Sequence, residues 1–183
     1  MTQYVAFLRG MNLGRRRIKN DELRACFEVL GFAKVSPFLA SGNVVFDASR
    51  GTSAEIATRI ERGLLEALGY AVPTFLRTAE EVREIAALEV FSEQLAAAGG
   101  KVQVALLVEA PTAAVRSEIL ALGTDEDLLE IRGRELYWLP SGGILEATVD
   151  LATVESALGS MTVRTKRTLE RLAAKFLGAG GNA

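Results

Sequence analysis

A loop near the N-terminus carries residues suited to binding an anion. Residues 9–15 (RGMNLGR) contain two glycines and an asparagine between two arginines. Gly10 and Gly14 allow positive φ and a close approach of the backbone, while Asn12 can both donate and accept hydrogen bonds. Arginine adds a bidentate fork for phosphate or carboxylate. The pattern lacks the Gly-Lys-Ser/Thr end of a Walker loop and is not G-x-G-x-x-G, so it predicts an anion site without naming the ligand.

A second short segment, Ser41-Gly42-Asn43, has the composition of a hairpin turn. If the first strand, the first helix and the next two strands form a split β-α-β unit, this turn lies at the same end of the sheet as the loop after the first strand. A polar turn that converges on an Arg/Gly loop is what a binding site needs. The alternative is an ordinary hairpin turn without a ligand.

Positive charge is concentrated in two segments of a chain whose formal net charge is only −2. Residues 9–24 hold six basic and two acidic side chains, and residues 164–175 hold five basic and one acidic. This segregation suits a local anion site better than a general coating of nucleic acid, although charged runs are often only a solvated face. The predicted ligand-binding residues are Arg9, Gly10, Asn12, Gly14, Arg15, Arg16, Ser41, Gly42, Asn43, Arg164 and Lys166.

The chain has no histidine and one cysteine. It therefore lacks Ser-His-Asp and Cys-His nucleophilic machinery and histidine-containing zinc sites. Any acid–base chemistry needs Asp, Glu, Lys, Tyr or Cys26. Cys26 has the helical spacing of a core residue relative to Leu23, Phe27 and Leu30. No metal site, cofactor or catalytic residue is predicted.

The fold class predicted from the pattern of elements is α+β with two subdomains. Residues 3–77 read β-α-β-β-α-β, the order of a ferredoxin-like, split β-α-β subdomain. Residues 101–139 read as a degenerate β-α-β-β unit with a hairpin at 132–134, and helices follow near 150–158 and 166–177. Asn20 and Thr52 are the expected N-caps of the first two helices.

The predicted domains are residues 1–95 and 101–177, joined by a linker at 96–100 (AAAGG) and followed by a disordered tail at 178–183. No apolar run has the length of a membrane span. The apolar stretch at the N-terminus is too short for a signal peptide, and a single cysteine fits a reducing compartment. We expect a cytoplasmic protein without a membrane partner.

Several strings resemble the family of uncharacterised, mostly bacterial proteins called domain of unknown function 1697. They are residues 4–14 (YVAFLRGMNLG), 20–32 (NDELRACFEVLGF), 41–46 (SGNVVF), 72–81 (VPTFLRTAEE) and 132–140 (RGRELYWLP). The resemblance implies a two-subdomain α+β fold with ferredoxin-like parts and no established activity.

The chain also departs from the family pattern. Many members have a second glycine where this chain has Arg15, and many carry Arg-Asn-Trp-Asn-Thr where residues 164–168 read RTKRT. If that element stacks on a ligand in other members, electrostatics must replace stacking here.

Three functions remain open on these observations. The first is a binding module whose partner is a phosphorylated small molecule or a nucleic acid, held by the Arg/Gly/Asn loop. The second is an enzyme that acts on a small anionic substrate without histidine or metal. The third is a structural or protein-interaction module that pairs through exposed sheet edges. The sequence leaves the oligomeric state undetermined.

Overall fold

The computed structural model describes residues 1–12, 17–91, 101–140 and 148–178. The chain divides into two compact units, and the α+β fold class is confirmed. Unit 1 comprises Met1–Arg83 together with the C-terminal segment from Leu172, and unit 2 comprises Glu84–Arg171. The predicted linker at 96–100 lies outside the described residues, as does the predicted tail beyond residue 178.

Unit 1 follows the predicted order β-α-β-β-α-β. Its elements are β1 (Thr2–Leu8), α1 (Asn20–Val29), β2 (Ala33–Phe38), β3 (Asn43–Ala48), α2 (Ser53–Leu68) and β4 (Thr74–Thr78). A third helix, α3 (Ala79–Ala87), follows directly. The N-cap of α1 is Lys19 rather than the expected Asn20, because the Glu22 carboxylate accepts the Lys19 amide at 3.0 Å. Thr52 caps α2 as predicted.

The sheet of unit 1 has the strand order β2-β3-β1-β4, and its paired strands are antiparallel. β3 therefore lies between β1 and β2, which is the split arrangement that the sequence predicts. Phe7 near the end of β1 pairs with Asn43 at the start of β3, and Leu8 pairs with Thr74 at the start of β4. The β1–α1 loop, the β2–β3 turn and the α2–β4 loop consequently lie at one end of this sheet.

One face of this sheet packs on α1 and α2. Alternate residues of β1 point into that core because side chains alternate along a strand. The rings of Phe27 and Phe32 lie 5.4 and 4.5 Å from the ring of Phe46, which is fully buried. Ile56, Ile60 and Leu64 of α2 recur at helical spacing and are also buried. The loops at the end of the sheet therefore connect elements that share a packed core.

Unit 2 repeats the architecture of unit 1. Its elements are β5 (Gln103–Leu107), α4 (Ala113–Leu120), β6 (Leu128–Arg132), β7 (Glu135–Leu139), α5 (Leu151–Leu158) and β8 (Met161–Thr165). The strand order is β6-β7-β5-β8. The β6–β7 hairpin turns at Gly133 as predicted. β8 was not predicted from the sequence. Its arginine and two threonines are polar residue types, although most of the strand is buried. The chain then continues through α6 (Lys166–Leu172) and a π-helical turn, Ala173–Leu177.

Candidate functional site

Asn12 joins the loop after β1 to the β2–β3 turn. Its side-chain Nδ2 donates to the Ala40 carbonyl at 2.8 Å, and its Oδ1 accepts the Ile18 amide at 2.9 Å. One side chain therefore bonds both the turn and the backbone amide that precedes α1, because a carboxamide can donate and accept at the same time. The nitrogen and the oxygen of the side-chain carboxamide each bond to another part of the protein. Asn12 thus acts here as a positioning residue rather than as a group directed at a ligand.

Gly42 brings the backbone of the turn against β1. The Leu8 amide donates to the Gly42 carbonyl at 2.7 Å. Gly42 has φ +73°, and a Cβ at this position would lie 3.1 Å from both the Cβ and the carbonyl oxygen of Leu8. Gly10 in the facing loop also has a positive φ, of 70°. Glycine is required at position 42 on two grounds, since an L side chain disfavours this φ and a Cβ would crowd β1.

Asn43 holds the turn from within. It is fully buried, and its Nδ2 donates to the Phe38 carbonyl at 3.0 Å and to the Ser41 Oγ at 2.9 Å. These bonds close the hairpin between β2 and β3, so the structure gives Asn43 a role inside the turn rather than on its surface. Ser41 itself is exposed. The loop after β1 and the β2–β3 turn, which the sequence predicts to lie together, are joined by the bonds of Asn12 to Ala40 and of Leu8 to Gly42.

Leu39, the first residue of the turn, has an unusual conformation. Its φ is +60°, and it is an exposed large apolar residue with 38% of its surface accessible. Left-handed backbone at a residue other than Gly, Asn or Asp costs about 1–2 kcal/mol. The packed hairpin sustains this strain at the point where the loop and the turn meet, and such strain concentrates at functional sites.

The α2–β4 loop supports the other side of the β1–α1 loop. The Tyr70 hydroxyl donates to the Met11 carbonyl at 3.0 Å, and the Arg9 amide donates to the Pro73 carbonyl at 2.9 Å. Met11 itself is buried. Tyr70 was not among the residues predicted from the sequence. Its position in the α2–β4 connection is a signal for it, because this connection lies at the same end of the sheet as the β2–β3 turn.

The basic residues of the loop that the structure describes lie at its two ends. Arg9 is half-buried, whereas Arg17 and Lys19 are exposed. Arg17 Nη1 donates to the Asn12 carbonyl at 3.3 Å, which places a guanidinium beside the fixed segment. The predicted site residues Gly14, Arg15 and Arg16 lie outside the described residues.

Arg164 and Lys166 belong to unit 2 and are engaged within it. Arg164, on β8, is buried, and its Nη1 donates to the Thr162 Oγ1 at 2.9 Å and to the Val163 carbonyl at 2.8 Å. Burial lowers the pKa of Arg164 to about 10. Lys166 Nζ donates to the Ala86 carbonyl at 3.0 Å and lies 2.6 Å from a Glu170 carboxylate oxygen. Their described contacts are structural, and a role in ligand binding stays a prediction for both.

Two further observations bear on chemistry, and a third bears on membranes. Cys26 is half-buried against the core of unit 1, and burial raises the pKa of its thiol, which disfavours the reactive thiolate. Among the residues that the structure describes, no group of three or more His, Cys, Asp or Glu side chains is placed to hold a metal ion. Within the same residues, no helix combines the length and apolarity needed to cross a bilayer.

The fold and the site define an α+β protein with two four-stranded antiparallel sheets and a loop–turn junction at one end of the first. The chain belongs to the family described as protein of unknown function (DUF1697), whose model matches residues 1–137. This match confirms the resemblance drawn from the sequence. The conserved bacterial protein SP0830 from Streptococcus pneumoniae has a similar structure, with a TM-score of 0.74 at 21% identity, covering 95% of this chain and 97% of that one. That likeness supports the fold alone. No curated protein matches the chain.

Proposed function

We propose that this protein is a binding module for a phosphorylated, anionic ligand, held where the β1–α1 loop meets the β2–β3 turn. The observation that carries the proposal is the pair of hydrogen bonds made by the Asn12 side chain. They hold Asn12 against Ala40 and Ile18, on either side of the basic residues 15 and 16 in sequence, before any ligand arrives, and such preorganisation reduces the cost of ordering on binding.

The composition of the loop supports an anion as the ligand. Arg17 donates to the Asn12 carbonyl, and Arg15 and Arg16 immediately precede Arg17 in sequence. Guanidinium groups recognise phosphate through paired hydrogen bonds. Asn12, Asn43, Gly42 and Tyr70 then act as positioning residues, and the arginines contact the ligand.

The proposal is tested by calorimetric titration of the full chain with inorganic pyrophosphate at low salt. We expect the combined Arg15→Gln, Arg16→Gln, Arg17→Gln variant to bind at least about tenfold more weakly than the natural chain, because each lost charge-assisted bond contributes about 1.5–3 kcal/mol in a desolvated site and less in an exposed one.

The matched control removes three positive charges from unit 2, with Arg116→Gln, Arg132→Gln and Arg134→Gln. It changes the net charge of the chain equally but leaves the loop intact, so its affinity should equal that of the natural chain. An equal loss of affinity in both variants would show that binding depends on the overall charge of the chain and not on the loop. No heat of binding with the natural chain would remove the proposed function.

A further inference from the structure

The segment that follows α6 packs on the β2–β3 hairpin within unit 1. Arg83 Nη1 donates to the Leu177 carbonyl at 3.1 Å. The ring of Phe176 lies 5.6 Å from the ring of Phe38 in an edge-to-face arrangement, with 79° between the ring planes. Edge-to-face pairs of this kind are favourable for aromatic rings. The π-helical turn Ala173–Leu177 is therefore anchored at the end of β2, and single π-helical turns are frequent at functional sites.

Lys175 is the charged residue of this turn. It is exposed, and its Nζ lies 5.8 Å from the centre of the Phe38 ring and 5.0 Å from that of Phe176. Ring faces attract an ammonium group without neutralising its charge. The two rings thus hold Lys175 near the end of β2 while its charge stays available to an anion in solvent.

Phe38 connects Lys175 with the candidate site. It is the last residue of β2, it pairs in register with Asn43, and its carbonyl accepts the Asn43 side chain. The turn of residues 39–42 begins directly after it, and Ala40 within that turn accepts the side chain of Asn12. Lys175 therefore lies near the residue that precedes the turn, and the Ala40 carbonyl of this turn is bonded to Asn12.

Two cationic positions at one hairpin end suit a ligand that carries successive negative charges along a chain. Leu39, which follows Phe38 directly in sequence, has an exposed apolar side chain, and Phe176 is half-buried. Proteins that bind single-stranded nucleic acid combine basic groups along the backbone with apolar or aromatic surfaces for the bases. A single phosphate would leave either the loop or Lys175 unused.

We propose that the ligand of this site is a single-stranded nucleic acid, with successive phosphates on Arg17 and on Lys175 and a base against Leu39 and Phe176. The inference rests on the function proposed above and names its ligand class. It also assigns the contribution of the basic C-terminal segment to Lys175 rather than to the predicted Arg164 and Lys166.

The experiment measures fluorescence anisotropy of a labelled oligothymidylate, twelve nucleotides long, with the full chain over a series of salt concentrations. Each phosphate contact with a single strand contributes about 0.7 to the slope of log affinity against log salt. We expect Lys175→Gln to reduce the slope by about 0.7 and to weaken binding at low salt by roughly threefold to tenfold. Circular dichroism checks that the exposed substitution leaves the fold intact.

Lys34→Gln is the matched control, because Lys34 is a lysine near the other end of β2 with 79% of its side chain exposed. Its salt slope should equal that of the natural chain. An unchanged slope in Lys175→Gln would overturn the inference and leave the proposed function standing. Binding of pyrophosphate without binding of the oligonucleotide would also overturn the inference and leave the proposed function standing. Binding of neither would contradict both proposals.

Discussion

Units 1 and 2 have the same order of elements and the same strand order, yet they differ at the end of the sheet where the candidate site lies. In unit 1 residues 9–19 connect the first strand to its helix, and in unit 2 residues 108–112 do so. The longer connection is basic, and the shorter one (VEAPT) carries only an acidic charge. The shared framework therefore does not itself supply the residues of the candidate site, since the basic connection is present in one unit and absent from the other.

The framework shared by the units includes a buried arginine in the last strand of each sheet. Arg77 pairs with Val5, Arg164 pairs with Val104, and both arginines are buried. Each donates from Nη1 to the carbonyl of the residue before it, at 2.9 and 2.8 Å respectively. A position that recurs in both units belongs to the architecture. This correspondence is a further reason to assign Arg164 to the fold.

The largest effect that tests this comparison is expected from the two arginines. Arg77→Ala and Arg164→Ala should each lower the free energy of unfolding by about 2–5 kcal/mol, since each removes a large buried side chain and its hydrogen bonds. The exposed Arg17→Ala should change it by no more than about 0.5 kcal/mol. Urea unfolding followed by circular dichroism measures all three.

The result for Arg164 distinguishes a role in ligand binding from a role in the stability of the fold. If Arg164→Ala kept its stability but lost affinity for pyrophosphate, Arg164 would belong to the site and the equivalence with Arg77 would fail. A loss of stability with unchanged affinity in the folded fraction would support the equivalence.

Much of unit 1 could be predicted from the sequence, because hydrophobic periodicity and capping residues mark its helices, and the split order then fixes which loops share an end. The meeting of the Asn12 loop with the Gly42 turn followed from that argument. Side-chain roles could not be predicted in this way. The burial of Asn43 and the contact of Tyr70 depend on three-dimensional packing, and β8 was missed because a buried arginine reads as a surface residue.

An intermediate effect is expected at Gly42, where the two units again differ. The Leu107 amide bonds the Arg134 carbonyl just as the Leu8 amide bonds that of Gly42, so unit 2 carries a full side chain at the equivalent position. Gly42→Ala should destabilise the chain by about 2 kcal/mol through the left-handed φ and the contact with Leu8, and it should weaken binding of pyrophosphate.

Gly69→Ala separates the two causes. Gly69 has a similar φ of +76°, but an added Cβ would meet nothing within 4 Å. Its cost should be about 1 kcal/mol, the conformational part alone, with no change in binding. Equal costs at the two positions would show that the approach of the turn to Leu8 is not tight.

The smallest effect concerns the equivalent helices α2 and α5, each of which has an exposed carboxylate at its N-terminal end, Glu55 in the first turn of α2 and Asp150 at the N-cap of α5. Hydrogen bonds from Thr52 lower the pKa of Glu55, and hydrogen bonds from Thr153 and from the Ala152 amide lower the pKa of Asp150. A carboxylate with a lowered pKa stabilises the fold above its unfolded pKa of about 4, and this contribution is lost as the pH falls through the folded pKa.

We therefore expect Glu55→Gln and Asp150→Asn each to make the stability fall less steeply with acid than in the natural chain. Urea midpoints measured between about pH 6 and about pH 3 give the comparison. A variant whose acid profile coincided with that of the natural chain would show that its carboxylate does not contribute in this way.

The division of unit 1 into two stretches of chain has a consequence for its synthesis. Residues 172–177 leave the ribosome only after the whole of unit 2, although Phe176 packs on Phe38 and Leu177 accepts a bond from Arg83 in unit 1. The first sheet can therefore assemble early during translation, but the end of β2 stays uncovered until this segment has been made. Lys175 reaches its place beside the Phe38 ring only after unit 2 has been synthesised.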